Sequence, residues 1–472
     1  MSRQDPGRVL IVGAGPTGLG AARRLQELGF DDFLVLEAGD TAGGLAQSVV
    51  DERGFTWDLG GHVQFSHYTY YDDVLDRALG DEWLWHERES WIWLDGRFVP
   101  YPFQNNIHRL APADRDRALL GLERAAAHAA GAPAAHFADW IQRTFGDGLA
   151  ELFLVPYNRK VWGVPLDRMG VSWIGERVAV PDLPRIRRNI REDRDDVSWG
   201  PNNRFRFPRR GGTGAIWRAV AAHLDAGRLR PGRRVVAVDP AARTVRLADG
   251  CTLGWDTLVS TLPIDRLVAA TAGLSPGARR AAASLLHSAV HVLGVGLRGA
   301  PPAPLARKCW MYFPESSSPY YRVTVFSNYS PHHVPDDGPY YSLMAEVCES
   351  PWKPVDGEGL PRVALAAMRR DRLIAPGAEV VSVWHRRLEH GYPTPSLARD
   401  EALAVLIPEL EARRIFSRGR FGGWKYEVSN QDHSFMQGVE LASRLLTGEE
   451  EITFPSPAAA NSGRFLARAV EA

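Results

Sequence analysis

Cysteine is scarce in this chain of 472 residues. Cys251, Cys309 and Cys348 are far apart and odd in number. They suggest neither a disulfide framework nor a cysteine metal site. Lysine is nearly missing too: only Lys160, Lys308, Lys353 and Lys425 stand among 56 basic residues, so the rest are arginine. Codon usage in a GC-rich genome accounts for that bias, although the planar arginine fork is also the better grip on phosphate. Neither sign of charge is in excess, with 56 acidic residues against 56 basic ones. This excludes a bulk attraction for nucleic acid or anionic membrane. No apolar run approaches the roughly 18 residues needed to cross a bilayer, and the opening MSRQDPGR lacks the apolar core of a signal peptide. A soluble cytoplasmic protein is expected. HExxH is absent, which argues against a zinc protease. His62, His67 and His433 lack metal spacing, and no metal is expected.

The length suffices for two or three domains with their own cores. The first 45 residues describe a dinucleotide site. The apolar run Val9–Val12 meets Gly13-x-Gly15-x-x-Gly18, and a helical pattern follows. Glycines there let a pyrophosphate approach bare backbone at a helix N-terminus, where N–H donors and the positive dipole end face it. A second apolar run, Phe33–Leu36, ends at Glu37, placed to accept hydrogen bonds from an adenosine ribose. A second glycine turn, Gly43-Gly44-Leu45, follows at once. The ordered set favours FAD over NAD.

Beyond Gly61 the chain turns aromatic, and simple alternation of strand and helix stops. Residues 91–99 read as a hairpin with Asp95-Gly96 at its turn. Residues 112–155 carry helical spacing, and 185–200 read as charged and irregular. Gly211 to Gly214 opens another helix, and residues 234–261 return strands to the flavin unit. Residues 288–348 alternate with strand period. The fold class predicted is α/β: a Rossmann-like FAD-binding domain with an inserted helical domain and an inserted antiparallel β-sheet domain. The boundaries expected are 1–85, 206–282 and 391–472 for the discontinuous FAD domain, 109–205 for the helical domain, and 86–108 with 283–390 for the sheet.

Four clusters carry chemistry. Pro100 to Asn106 sets aromatics beside amides. It is either a nucleobase clamp or a proline-stiffened loop packed on the core. Pro156 to Trp162, then Gly175-Glu176-Arg177, and Trp310-x-Tyr312, then Tyr320-Tyr321-Arg322, combine phenols with arginine forks, a combination suited to a diphosphate. Arg322 is conspicuous in an apolar strand pattern. Last, His390 to Pro395, Gly419 to Glu427 and Asn430 to Ser434 precede a helix. Its N-terminal amides would stabilise negative charge on a reduced flavin, while Asp432 or Ser434 would equally serve as ordinary caps. His62, just past two glycines, is the histidine expected to be functional.

These stretches, in this order, resemble UDP-galactopyranose mutases, more closely the fungal and protozoan type than the bacterial type. GAGPTGLGAARRL, DLGGHVQFSHY, VPYPFQNN, PYNRKVWGVP, YYRVTVFSNYSP, HRRLEHGYPTP and SRGRFGGWKYEVSNQDHSFMQGVE carry the likeness. It implies an isomerase that interconverts UDP-galactopyranose and UDP-galactofuranose on reduced FAD, through a covalent bond between flavin N5 and the sugar, with no net redox change. NADPH is the implied reductant. By the matching motifs, Gly13, Gly15, Gly18, Glu37, Gly43, Gly44, Leu45, Gly61, His62, Arg420, Asn430, Gln431 and Ser434 face the flavin. Tyr101, Phe103 and Gln104 hold uracil, and Asn158 and Trp162 lie near ribose or sugar. Arg177, Arg322, Tyr312, Tyr392, Tyr426 and Asn202 or Asn203 hold the diphosphate, and Trp310 borders the sugar. His62, Arg322 and Arg177 are the implied catalytic residues, with flavin N5 as nucleophile. Arg88 and Arg420 are implied in NADPH binding.

The chain departs from the fungal pattern at Ser90-Trp91-Ile92-Trp93 and at Ser429. The subunit count stays open. The alternatives are a flavin oxidase of the amine or protoporphyrinogen oxidase kind, which the surplus of Arg and Tyr at diphosphate positions disfavours, a mutase acting on a related nucleotide sugar, and a non-catalytic nucleotide-sugar binder, which the intact flavin motifs disfavour.

Overall fold

The structure, a computed structural model, describes residues 5–128, 133–197 and 203–462. Its centre is a five-stranded parallel sheet in the order Ile415–Ser417, Thr257–Ser260, Val9–Val12, Phe33–Leu36, Leu229–Arg230. The strands are short apolar runs because both faces are covered. Alternation along one strand shows this: Val9 and Ile11 pack in one core cluster, Leu10 and Val12 in another. On the first face lie the helices Pro16–Glu27 and Gln431–Thr447. They cross so closely that a Cβ at Gly438 would run into the Thr17 carbonyl, and one at Gly20 into the Phe435 carbonyl. Only glycine permits that approach. On the second face, Leu267 and Leu406 come from the helices Ile264–Ala270 and Arg399–Glu411. The strands Val235–Asp239, Thr244–Leu247 and Thr252–Gly254 form a separate antiparallel sheet rather than joining the parallel one.

The second large sheet has seven strands, in the order Val380–Pro393, His287–Arg298, Tyr340–Glu349, Arg322–Val325, Trp310–Tyr312, Ser90–Leu94, Arg97–Pro100. All pairs are antiparallel except Trp310–Tyr312 with Ser90–Leu94. The hairpin turn falls at Asp95-Gly96, both in left-handed backbone (φ 49° and 72°), as a two-residue turn requires.

The helical insert comprises Pro112–Ala127, Phe137–Leu149, a π-helical turn Ala150–Leu154, and Val155–Trp162. The reading of 185–200 as irregular needs correction, because Leu183–Glu192 is a helix. Asp182 caps it by accepting the Arg185 N–H, Pro184 sits in its first turn, and Ile186 and Asn189 face inward. The charge density hid a sound start signal. Among the described residues, no helix is long and apolar enough to cross a membrane.

Candidate active site

The glycine turn after Val12 and the Gly43-Gly44 turn face each other: a Cβ on Gly44 would stand 3.2 Å from Gly15 Cα. Gly13 and Gly43 take φ of 102° and 123°. Glu37 braces the first turn, accepting the Ala14 N–H at 2.8 Å through one carboxylate oxygen and the Gly39 N–H at 2.8 Å through the other. Gly43 donates its own N–H to the Ala14 carbonyl. A cavity of about 650 Å³ opens from this cradle and reaches the seven-stranded sheet.

The cavity brings together Gly13, Gly15, Glu37, Gly44, Leu45, Gly61, His62, Arg322, Tyr392, Arg420, Tyr426, Asn430, Gln431 and Ser434. They come from the chain's beginning, its middle and its end. Gly18 sits behind the turn, where a Cβ would strike the Gly13 carbonyl. Arg177 stands one hydrogen bond behind the wall. Its Nη1 donates to Asn430 Oδ1 at 2.8 Å and its Nη2 to the Glu427 carbonyl at 2.7 Å.

Tyr101, Phe103, Gln104, Asn158, Trp162, Trp310 and Tyr312 are not among the residues lining this cavity. Tyr101 and Tyr157 pack against Tyr312, with ring centroids at 5.3 and 5.1 Å. Trp162 meets Tyr426 edge-to-face at 4.8 Å. Phe103 is buried against Phe153, Gln104 donates to the Ala179 carbonyl, and Asn158 donates to the Leu154 carbonyl. The Asn106 amide donates to the carbonyls of Pro100, Pro102 and Asp196. Much of the Pro100 to Asn106 segment is therefore committed to packing. Trp310 is buried. Asn202 lies outside the described residues, while the Asn203 carbonyl accepts the Arg88 N–H. The Arg88 side chain donates to the Val197 carbonyl and lies over Tyr101.

Sequence reasoning passed over Glu346. It is buried across the strand pair from Arg322, accepts Arg322 Nε at 2.5 Å and takes the Gly61 N–H at 2.6 Å with its other oxygen. Burial alone would raise its pKa, but Arg322 outweighs burial and holds the carboxyl below its usual range. Asp432 was read only as a cap. It accepts both the backbone N–H and Nδ1 of His67. Despite their sequence spacing, His67, Asp432 and His433 do converge, as a hydrogen-bonded group: His433 Nδ1 pairs with the Tyr68 hydroxyl and its Nε2 with Asn461.

Two half-buried groups at the cavity have an unmet need. Burial pushes His62 down to about 4, so it is neutral near pH 7, and its Nδ1 has no partner among the described residues. Burial also lowers the pKa of Arg420, which no carboxylate pairs among the described residues; it donates to Ser429 Oγ and the Gly391 carbonyl. A glycine cradle, a half-buried cation paired with no carboxylate among the described residues, and an imidazole whose Nδ1 has no partner among them, all in one cavity, fit a flavin dinucleotide.

The sequence profile of flavin containing amine oxidoreductases matches residues 16–345. The crystal structure of a reduced UDP-galactopyranose mutase superposes with a TM-score of 0.94 at 48% identity, over 96% of this chain and 97% of that one. The chain belongs to the UDP-galactopyranose mutases, within the flavin containing amine oxidoreductases. A protein described as a protoporphyrinogen oxidase, from Exiguobacterium sp. 255-15, shares the mutase fold at a TM-score of 0.70 and 16% identity, over 94% of this chain and 99% of that one. Polyamine oxidase 1 of Zea mays is 57% identical over 37 residues, 8% of this chain and 7% of that protein. A multifunctional alkene reductase/demethylase of Caballeronia cordobensis is 44% identical over 84 residues, 15% of this chain and 12% of that protein. The mutase chain thus spans only a small part of these curated relatives.

Proposed function

We propose that this chain interconverts UDP-galactopyranose and UDP-galactofuranose with its flavin reduced and without net redox change. One observation carries the reading: a single cavity joins the glycine cradle to a wall of Arg322, Arg420, Tyr392 and Tyr426. An oxidase of apolar or amine substrates has no use for that wall. A diphosphate does, because its charge needs forked and phenolic donors once water is excluded.

Bound and reduced, the flavin supplies a nucleophilic nitrogen, N5, toward the anomeric carbon. The protein's part is to hold what reacts. Arg322 and Arg177 grip the diphosphate from different inserts, with Tyr312, Tyr392 and Tyr426 as neutral donors. The grip must outlast sugar–UDP cleavage, since UDP returns to the same carbon. Tyr101, Phe103 and Gln104 are the proposed uracil contacts, Gln104 through its amide once it releases the Ala179 carbonyl; Asn158 and Trp162 flank ribose and sugar, and Trp310 borders the sugar. Neutral His62 is a hydrogen-bonding partner beside the ring, on a backbone made pliable by Gly60-Gly61. The open N-terminus of Gln431–Thr447 offers positive potential to a reduced, anionic ring. We assign the chain to the fungal and protozoan branch on its DLGGHVQFSHY and NQDHSF stretches, with NADPH as reductant held by Arg88 and Arg420, and keep the three-part division of the chain as its domain plan.

The test is incubation with UDP-galactofuranose, with and without dithionite. Conversion to UDP-galactopyranose only in the reduced sample supports the reading. Steady hydrogen peroxide production, or NADPH oxidation in step with sugar turnover, would place the oxidase class first.

A further inference from the structure

The helix Arg399–Glu411 begins with a buried arginine. That is the wrong sign for a helix N-terminus, where the dipole favours anions. Arg399 is nonetheless 2% exposed and fully engaged. Its Nη1 and Nη2 close as a fork on Glu427 at 2.7 and 3.0 Å. Its Nε donates to Asp400 at 2.8 Å, and Nη2 also reaches Ser172 Oγ at 3.1 Å. Ser172 belongs to the helical insert, five residues before Arg177 in the chain. Glu427 is itself 6% exposed, in the short turn Tyr426–Val428.

A buried ion pair of this kind is weak evidence for stability, because desolvation offsets most of the attraction. Its position says more. The Glu427 backbone carbonyl accepts Arg177 Nη2 at 2.7 Å and Asn461 Nδ2 at 3.0 Å. The residue before it, Tyr426, lies under the Arg177 guanidinium, 5.5 Å from ring centroid to Cζ. Arg177 therefore leans on one turn of backbone, and the side chain of that turn is clamped by Arg399.

We propose that Arg399 and Glu427 are positioning residues for the nucleotide diphosphate: their buried fork fixes the Glu427 carbonyl and the Tyr426 ring, which hold Arg177 at the cavity wall behind Asn430, within reach of the substrate. The bond to Ser172 holds the insert carrying Arg177 to the same point, so one guanidinium sets both the arginine and its backstop. The inference rests on the nucleotide-sugar reading and adds two residues that never touch the ligand.

A double-mutant cycle on the flavin-loaded protein tests it, with UDP binding measured by calorimetry and flavin content by absorbance. Glu427→Gln keeps shape and loses charge; Arg399→Lys keeps charge and loses the fork. Each should weaken UDP about tenfold with flavin content unchanged. In an Arg177→Ala background each should change UDP affinity less than about twofold, since contacts acting through one residue are non-additive. If Glu427→Gln does not fold, Arg399→Lys carries the same cycle. Additive losses in the two backgrounds, or normal UDP affinity in both single variants, overturn the proposal while leaving the nucleotide-sugar reading intact. Failure of the wild-type protein to bind UDP would overturn both.

Discussion

Glu346 and Arg322 are paired residues on neighbouring strands, and the carboxylate that neutralises the arginine also holds the Gly61 N–H. The diphosphate arginine and the backbone beside His62 therefore share one anion. If a diphosphate draws Arg322 away, Glu346 is left with the glycine loop alone. Glu346→Gln should disturb both ends: UDP affinity and the flavin reduction potential should each shift, and turnover should fall at least about tenfold. Potentiometric titration beside UDP calorimetry checks this; a shift in one quantity without the other would separate the two contacts.

Arg177→Ala and Arg322→Ala should each weaken UDP by about ten- to hundred-fold, the cost of losing a hydrogen bond to a charged group, with bound flavin unchanged. Arg322→Ala also leaves Glu346 buried without its cation, so its melting temperature should drop more than that of Arg177→Ala, whose partners are a carbonyl and an amide. UDP calorimetry and thermal melting of the same preparations decide it; near-normal UDP affinity in both variants removes the local support for a nucleotide-sugar substrate.

His62→Ala should lower turnover strongly, and EDTA should leave the wild-type enzyme unaffected, because the imidazole is expected to serve the flavin rather than a metal. Loss of activity with EDTA, restored by a divalent ion, would contradict that assignment.

Stability should fall on acidification below neutrality. Burial pushes His62, His333 and His433 each down to about 4. Between the ordinary value of about 6.5 and that folded value, the unfolded chain binds protons that the folded chain refuses, so stability is lost as pH falls through the window. Asp58 opposes this, since burial raises it to about 6 and its contribution is lost as pH rises. Asp72 and Glu440, also raised by burial, oppose it too, but His86, His287, His291 and His385 are lowered as well, so the histidines carry the net slope. Melting temperature should be lower at pH 5 than at pH 7, and His333→Phe, placed among Phe326 and Phe207, should flatten the difference. An unchanged or higher melting temperature at pH 5 would refute the sign.

The cradle was legible because a glycine turn is a local event: strand, turn, helix and acid lie within residues 9–45, and the structure places them as their spacing implies. Arg322 was legible for the opposite reason, as a charge misplaced in an apolar strand. Glu346 carried the same signal, the lone acid within the run from Tyr341 to Val347, yet its meaning depends on strand register, which no single strand encodes. Arg399 and Glu427 could not be paired in advance, since two intervening segments had to fold before they met. The helix Leu183–Glu192 was obscured by its own charges, although Asp182-Leu183-Pro184 announced it.

The crossing at Gly20 and Gly438 has a consequence for how the protein is made. The cavity is walled at one side by residues 13–45 and at the other by residues 419–434, nearly a whole chain apart in synthesis. A ribosome-bound nascent chain can shape the early strand–turn–helix unit, but it has no closed pocket until the helix Gln431–Thr447 emerges and settles on the first one. A chain truncated before residue 430 lacks that wall of the cavity and should purify colourless however well its earlier segments fold.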